Sequence, residues 1–311
     1  AKASVCKASG GFLSPRSFNL STFGKTYRMI YFNGIKGKNY FEGWFFRVCA
    51  EGFNCALIPS VSVCDGERKA YIQINCNRSS KKLEFGFEDF CATNREVWIG
   101  DNHFSDEGIT FSSDFLSLDV KFGAFEGVEK DIMGCFKFGT PCKHKLISMK
   151  HEVKGTARFG NKKIMLKNAV GYIEKDWGKS FPKAYCWLQC NQFEEGEAAF
   201  FLSVADIRLP VLGLICVLLA EGKEYRFATY NFSRIEKLQK GEIVLRKSDM
   251  RLQINFSGEN AQALSAPEKG KMKNMIKEDL DGTIDLKLCE NEKVLYTFHG
   301  KNAGMEWVNL K

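Results

Sequence analysis

The chain has 311 residues, enough for two domains, and its 44% hydrophobic and 26% charged residues exclude extensive disorder. Lys and Arg (45) exceed Asp and Glu (37), for a formal charge of +8, but the excess lies in lysine clusters at 143–154, 162–167 and 269–277 that alternate with apolar residues. Solvated strand faces account for that pattern, with peripheral contact to an anionic membrane surface as the second reading; without an Arg-rich stripe or a recognition motif, nucleic acid is set aside as a partner.

Phe is abundant (27) and Pro scarce (6), which favours strands and aromatic-lined interiors. Among the twelve cysteines no Cys-x-x-Cys occurs, and Cys186, Cys190 and Cys216 sit in apolar stretches where a free thiol behaves as a small hydrophobe. Reduced thiols and a cytoplasmic location are therefore expected. Cys135, Cys142 and His144 match no usual zinc spacing, so no metal is assigned. The N-terminus lacks the basic-then-apolar pattern of a signal peptide, which says nothing of a leader removed before Ala1. The longest apolar run, 209–220, contains Pro210 and Gly213 and is too short to span a bilayer as a helix.

In chain order, 1–28 is rich in Ser, Gly and Lys and reads as an irregular lead-in. From Met29 onward short β-branched and aromatic runs follow one another at 41–49, 56–63, 70–76 and 83–87, then 96–99, 103–104, 109–111 and 116–122, separated by turn residues. Between 123 and 145 Gly127, Gly134, Gly139 and Pro141 break the pattern into a long connection or lid. Strand signals return at 146–153, 155–159 and 162–166, and again from 198 to the end; only 271–280, with Met272, Met275, Ile276 and Leu280 at helical spacing, predicts a helix. The expected fold is all-β, two antiparallel barrels or sandwiches, with a first half at 29–168 and a second at 169–311.

Two stretches concentrate chemistry. In Tyr40-Phe41-Glu42-Gly43-Trp44, strand alternation puts Tyr40, Glu42 and Trp44 on one face. A carboxyl between aromatics resists ionisation and suits a general acid; the alternative is a structural ion pair, with Arg47 or Arg28 as partner. In Gly171-Tyr172-Ile173-Glu174-Lys175-Asp176-Trp177-Gly178, the residues Tyr172, Glu174 and Asp176 share a face with Lys175 opposite, so the carboxylates form either an acid–base pair or the polar corner of a turn. Tyr185, Trp187 and Gln189 alternate with Cys186, Leu188 and Cys190, giving one aromatic, polar face suited to an apolar ligand with a hydroxyl. Of the four histidines, His151 beside the long connection is the acid–base candidate. No nucleophile elbow, phosphate-binding loop or dinucleotide fingerprint occurs.

These residues carry a resemblance. Tyr40-Phe41-Glu42-Gly43-Trp44-Phe45-Phe46-Arg47-Val48 and the segment from Gly171 to Asn191 are similar to two signatures of the tocopherol cyclase family, and further similar segments extend the likeness from Tyr31 to Leu310. The resemblance implies paired lipocalin-like β-barrels and cofactor-free closure of a chromanol ring from a prenylated quinol. It implies Glu42, Glu174 and Asp176 as acid candidates, with Tyr40, Trp44, His151, Tyr172, Trp177, Tyr185, Trp187 and Gln189 around an apolar substrate or lipid. The non-catalytic alternative is an isoprenoid or lipid carrier using the same pocket. No cofactor or metal is expected.

Overall fold

The computed structural model describes residues 31–310; the expected lead-in at 1–28, with Arg28, lies outside the described residues. Eleven strands form the first sheet: β1 (Tyr40–Ala50), β2 (Phe53–Cys64), β3 (Glu67–Cys76), β4 (Ser79–Gly86), β5 (Phe90–Ala92), β6 (Glu96–Ile99), β7 (Asn102–Ser105), β8 (Gly108–Ser112), β9 (Leu116–Phe122), β10 (Cys142–Phe159) and β11 (Lys162–Gly178). Ten form the second: β12 (Tyr185–Cys190), β13 (Ala198–Ala205), β14 (Gly213–Ala220), β15 (Lys223–Ala228), β16 (Arg234–Gln239), β17 (Glu242–Lys247), β18 (Met250–Ser257), β19 (Gln262–Glu268), β20 (Lys271–Glu290) and β21 (Lys293–Val308). Each sheet curls into a nearly closed antiparallel, lipocalin-like barrel.

Local chemistry explains the meander. Asp65-Gly66, Glu221-Gly222 and Lys269-Gly270 hold positive φ at both central residues of two-residue hairpins, matching the right-handed strand twist. In the first sheet the chain returns on itself, so that β1 pairs with β11 and β11 with β10. The first barrel therefore runs to Gly178, and the boundary drawn at 168/169 falls inside β11; the strand patterning there is continuous, so the sequence shows no break. The helix expected at 271–280 is also corrected. Those residues are the first half of β20, where Ile276 and Glu278 are buried and Met275 and Lys277 are exposed, a period of two rather than 3.6.

Among the described residues the core divides into four apolar clusters, a small one of Leu264, Ala266 and Ile276 on the β19–β20 hairpin and three larger ones. Trp44, Phe46 and Val48 of β1 join Val61, Ile72 and Phe104 inside the first barrel. Cys186, Leu188 and Cys190 of β12 join Phe200, Leu218 and Leu286 inside the second. The third lies between the barrels, where Phe45 and Tyr172 meet Trp187, Phe201 and Ile215. Cys186, Cys190 and Cys216 are free thiols in the second core, as expected, whereas Cys91 at the edge strand β5 is disulfide-bonded and departs from the all-reduced expectation. Part of the 209–220 run forms β14, and among the described residues no helix is long and apolar enough to cross a membrane.

Candidate active site between the barrels

A cavity of about 160 Å³ opens between the two barrels. Phe41, Gly43 and Phe45 of β1, Ser60 of β2, His144 of β10 and Glu174 and Asp176 of β11 form one wall. Tyr185 and Trp187 of β12, Ile215 of β14 and Glu306 of β21 form the other. The hairpin of β19 and β20 leans back over the first barrel, where the Gln73 side chain bonds both backbone groups of Ser265 (3.0 and 2.7 Å), and it adds Leu264, Met272 and Glu278 to the cavity. The predicted long connection supplies Met133, Phe136, Thr140 and Pro141 to the same lining. A neighbouring recess shares Pro141, Pro182 and Asp206 with it and adds Lys183 and Arg208, which marks the mouth.

Two polar clusters interrupt the apolar lining. The first is His144, whose Nδ1 lies 2.7 Å from Asp176 Oδ1 and whose Nε2 lies 3.2 Å from Glu174 Oε2. The second contact is poorly aligned, so Nε2 has no hydrogen-bond partner. Burial alone pulls the imidazole down, but Asp176 and Glu174 outweigh it and hold His144 well above its ordinary 6.5, as an imidazolium. Glu174 Oε2 also accepts from Tyr172 Oη and from Trp187 Nε1 at 3.1 Å. Among the described residues His144, Glu174 and Asp176 form one grouping of candidate metal ligands, with ligand atoms within 4.8 Å of one another. Both imidazole nitrogens face carboxylates, however, which suits a held proton better than a metal needing a free nitrogen lone pair.

The second polar cluster is a pair of carboxyl groups on neighbouring strands. Glu278 and Glu306 stand opposite each other in the β20–β21 ladder, and both side chains line the cavity. Tyr185 Oη donates to Glu306, and Asn75 Nδ2 donates to Glu278 at 2.9 Å.

The expected site residues separate by strand parity. Glu174, Asp176, Tyr185 and Trp187 line the cavity. Tyr172 packs behind it between Phe45 and Trp187, and Gln189 accepts from Arg47 Nη1 at 2.5 Å without reaching the lining. Glu42, Tyr40, Trp44 and Trp177 lie on the other side of the sheet. Glu42 is fully buried against Lys175 (2.6 Å) and accepts from Tyr40 Oη (2.5 Å) and Asn33 N (2.9 Å). The rings of Tyr31, Trp44 and Trp177 surround the ammonium of Lys175, and burial pulls that amine down to about 8 despite Glu42. The ion-pair alternative for Glu42 therefore holds, with Lys175 rather than Arg47 as partner; Arg47 points between the barrels, to Gln189, Asn54 and the carbonyls of Leu280 and Asn302. His151 is also distant from the cavity lining: it packs against Phe122 and Phe125, touches Ser148 Oγ (2.8 Å), and burial lowers it to about 3.

Sequence reasoning misses Glu278 and Glu306 as site residues, and reaches His144 only as a discarded metal ligand. The available signal is an acid at the buried parity of β20 and a histidine opposite Asp176 in the β10–β11 register.

A two-barrel, all-β protein with a titratable apolar site between its barrels is the class that this geometry defines. The chain belongs to the tocopherol cyclase-like family, whose model matches residues 141–307. That span holds His144, Glu174, Asp176, Tyr185, Trp187, Glu278 and Glu306, and excludes Glu42. Solved structures that share the fold include the following two. One is a protein from Nitrosomonas europaea described as AttH, 10% identical, with a TM-score of 0.54 over 88% of this chain and 94% of that one. The other is CghA, solved with Sch210972, 11% identical, with a TM-score of 0.55 over 87% and 89%.

Proposed function

We propose that the protein is a cofactor-independent cyclase or isomerase of an apolar, prenylated, quinol-type substrate. The observation that carries this reading is the coincidence, in one inter-barrel cavity, of an aromatic lining and two proton-holding clusters. An engineered cavity of about 150 Å³ takes up benzene, so the space here suits one ring-sized group, with the rest of a prenyl chain leaving through the mouth. Protonating a trisubstituted alkene creates a tertiary cation, and capture by the phenolic oxygen closes a ring. Atoms and electrons balance without an oxidant, because the proton gained at carbon is matched by the one lost from oxygen.

The residues fit these demands. Phe41, Phe45, Phe181 and Trp187 line the space where the cation would form, and an aromatic ring face turned toward it would stabilise it. The apolar walls limit hydration of that cation. Asp176 and Glu174, steadied by His144, Tyr172 and Trp187, are placed to handle the proton at the oxygen. Exposed Phe138, near Pro141, and exposed Leu209 and Val211, next to Arg208, flank the segments that form the mouth, and this supports loading of the apolar substrate from an anionic membrane surface. The fold shared with CghA, solved with a small molecule, is consistent with ligand binding.

The test is incubation of the purified chain with a panel of prenylated hydroquinones, followed by mass spectrometry and chromatography of bound and released material. Conversion to an isomer of unchanged mass, lost in Asp176→Asn, supports the reading. Tight binding without conversion, indifferent to Asp176→Asn and Glu174→Gln, assigns the carrier role instead.

A further inference from the structure

We propose that Glu278 and Glu306 share one proton and deliver it to the substrate alkene, while the His144–Asp176–Glu174 cluster takes up the proton released from the phenol; this rests on the cyclisation reading above. The geometry begins with the ladder. Two acids at directly opposed positions of β20 and β21, both turned into the same cavity, bring like charges together where water is scarce. Glu278 is 1% exposed and Glu306 9%. Among the described residues neither makes an ion pair with Lys or Arg.

The groups facing the pair leave it short of positive charge. Asn75 from β3 and Tyr185 from β12 give neutral hydrogen bonds, and Glu174 and Asp176 from β11 add repulsion. Of the cations nearby, Arg47 of β1 bonds instead to Gln189, Asn54 and backbone carbonyls, and the His144 imidazolium is paired with Asp176 and Glu174. Two such carboxyls cannot both ionise at neutral pH. Burial accordingly pushes Glu278 up to about 7, and burial followed by the charge of Glu278 pushes Glu306 well above the ordinary carboxyl range.

A second, independent feature points to a ligand. Ser60 Oγ, on the opposing wall, is buried, lines the cavity and has no hydrogen-bond partner. A ligand hydroxyl there would satisfy an oxygen that otherwise carries the penalty of an unmade bond. The cavity thus has one place to hold a polar head, one carboxyl pair that keeps a proton, and one cluster rich in acceptors.

In the step itself, an O–H bond of the pair breaks as a C–H bond forms at the less substituted alkene carbon, leaving the tertiary cation. The phenolic oxygen then forms its C–O bond, and its proton passes to the Asp176–Glu174 side. Return of one proton to the pair completes the cycle.

The experiment uses the full chain with a prenylated hydroquinone as substrate and the corresponding quinone as a ligand that cannot cyclise. In Glu278→Gln and in Glu306→Gln, kcat should fall by about 10²–10⁴-fold with KM little changed. Wild-type kcat should decline as pH rises through about 7, because the donor is then lost, and the residual rate of Glu278→Gln should lack that limb. Infrared difference spectra give a readout apart from turnover: wild type should show a protonated carboxyl band at neutral pH that the quinone shifts, and each Gln variant should change that band's position or intensity. Turnover unchanged in both variants, or no such band in wild type, overturns the proposal. A wild type that shifts the band yet converts no quinol overturns the donor role through failure of the cyclisation reading, whereas conversion without the band refutes the pair alone. Should one variant fail to fold, the other and the wild-type spectrum still decide.

Discussion

Replacing Lys175 with Met should be among the most damaging single changes in the first barrel, although it leaves the cavity wall untouched. The Lys175 ammonium and the Glu42 carboxylate are both fully buried and 2.6 Å apart. Without the lysine, Glu42 keeps the hydroxyl of Tyr40 and the backbone N–H of Asn33 but has no counter-charge. Breaking one side of such a pair costs about 3–5 kcal/mol. Glu42→Gln should cost less, about 1–2 kcal/mol, because the lysine, already lowered to about 8, can shed its proton near neutral pH, and a tenfold change in proton affinity is worth about 1.4 kcal/mol. The double variant should recover much of the Lys175→Met loss, because a neutral pair of similar volume leaves no buried charge. Urea denaturation of the four proteins at pH 7 completes a double-mutant cycle. Additive single effects, or a Lys175→Met loss below about 1 kcal/mol, would refute the reasoning. The linkage has a definite sign: the unfolded lysine binds its proton more tightly than the folded one, so this group makes wild type more stable as pH rises from about 8 toward 10.5.

Other outcomes follow from the same geometry. Ring-proton NMR should find His144 protonated well above pH 6.5, with its stabilising contribution full below 6.5 and lost as pH rises through its folded value. His151 should remain neutral down to about pH 3, so it weakens the fold as pH falls below 6.5; coincident titration of the two rings would count against both environments. Gly304→Ala would set a Cβ 2.9 Å from the Trp187 ring and 3.0 Å from Arg47 Nη1, and should raise KM or ligand Kd by roughly tenfold with a stability loss of about 1–3 kcal/mol. Unaltered Trp fluorescence and ligand affinity in that variant would show that the ring is not seated as described. Gly171→Ala drives a Cβ to 2.1 Å from His151 Nε2 and should cost at least about 2 kcal/mol in thermal unfolding, with no corresponding loss in a Gly171→Ala/His151→Ala background if the clash is the cause.

Much of this architecture is legible from residues alone, and the failures have physical causes. Strand alternation correctly puts Tyr172, Glu174 and Asp176 together and Lys175 opposite, and correctly gives β12 an apolar face and an aromatic one. It cannot say which face of β1 meets the ligand. In that strand every position but Gly43 is buried, because one side fills a barrel and the other meets the second barrel, so periodicity has no wet face to mark. The lysines of β20 mislead in another way: outward Lys271, Lys273 and Lys277 leave the apolar residues at spacings that mimic a helix. Glu278 and Glu306 are brought together only by the hairpin register, which a linear pattern does not contain. His144 fits no zinc spacing along the chain, because its partners lie across the ladder on β11.

The cavity belongs to neither barrel. Each barrel closes over its own core, and the ligand space is what remains where their outer surfaces meet, under a borrowed hairpin and a connecting segment. Part of the cavity wall is thereby independent of the residues that fill the two barrels. Phe41, Ser203 and Met272 can be exchanged in a library to reshape the chamber without touching Phe46, Phe104, Phe200 or Leu286, which fill the interiors of the two barrels. A scaffold divided in this way can change its chemistry along lineages, or at the bench, while its folding problem stays the same.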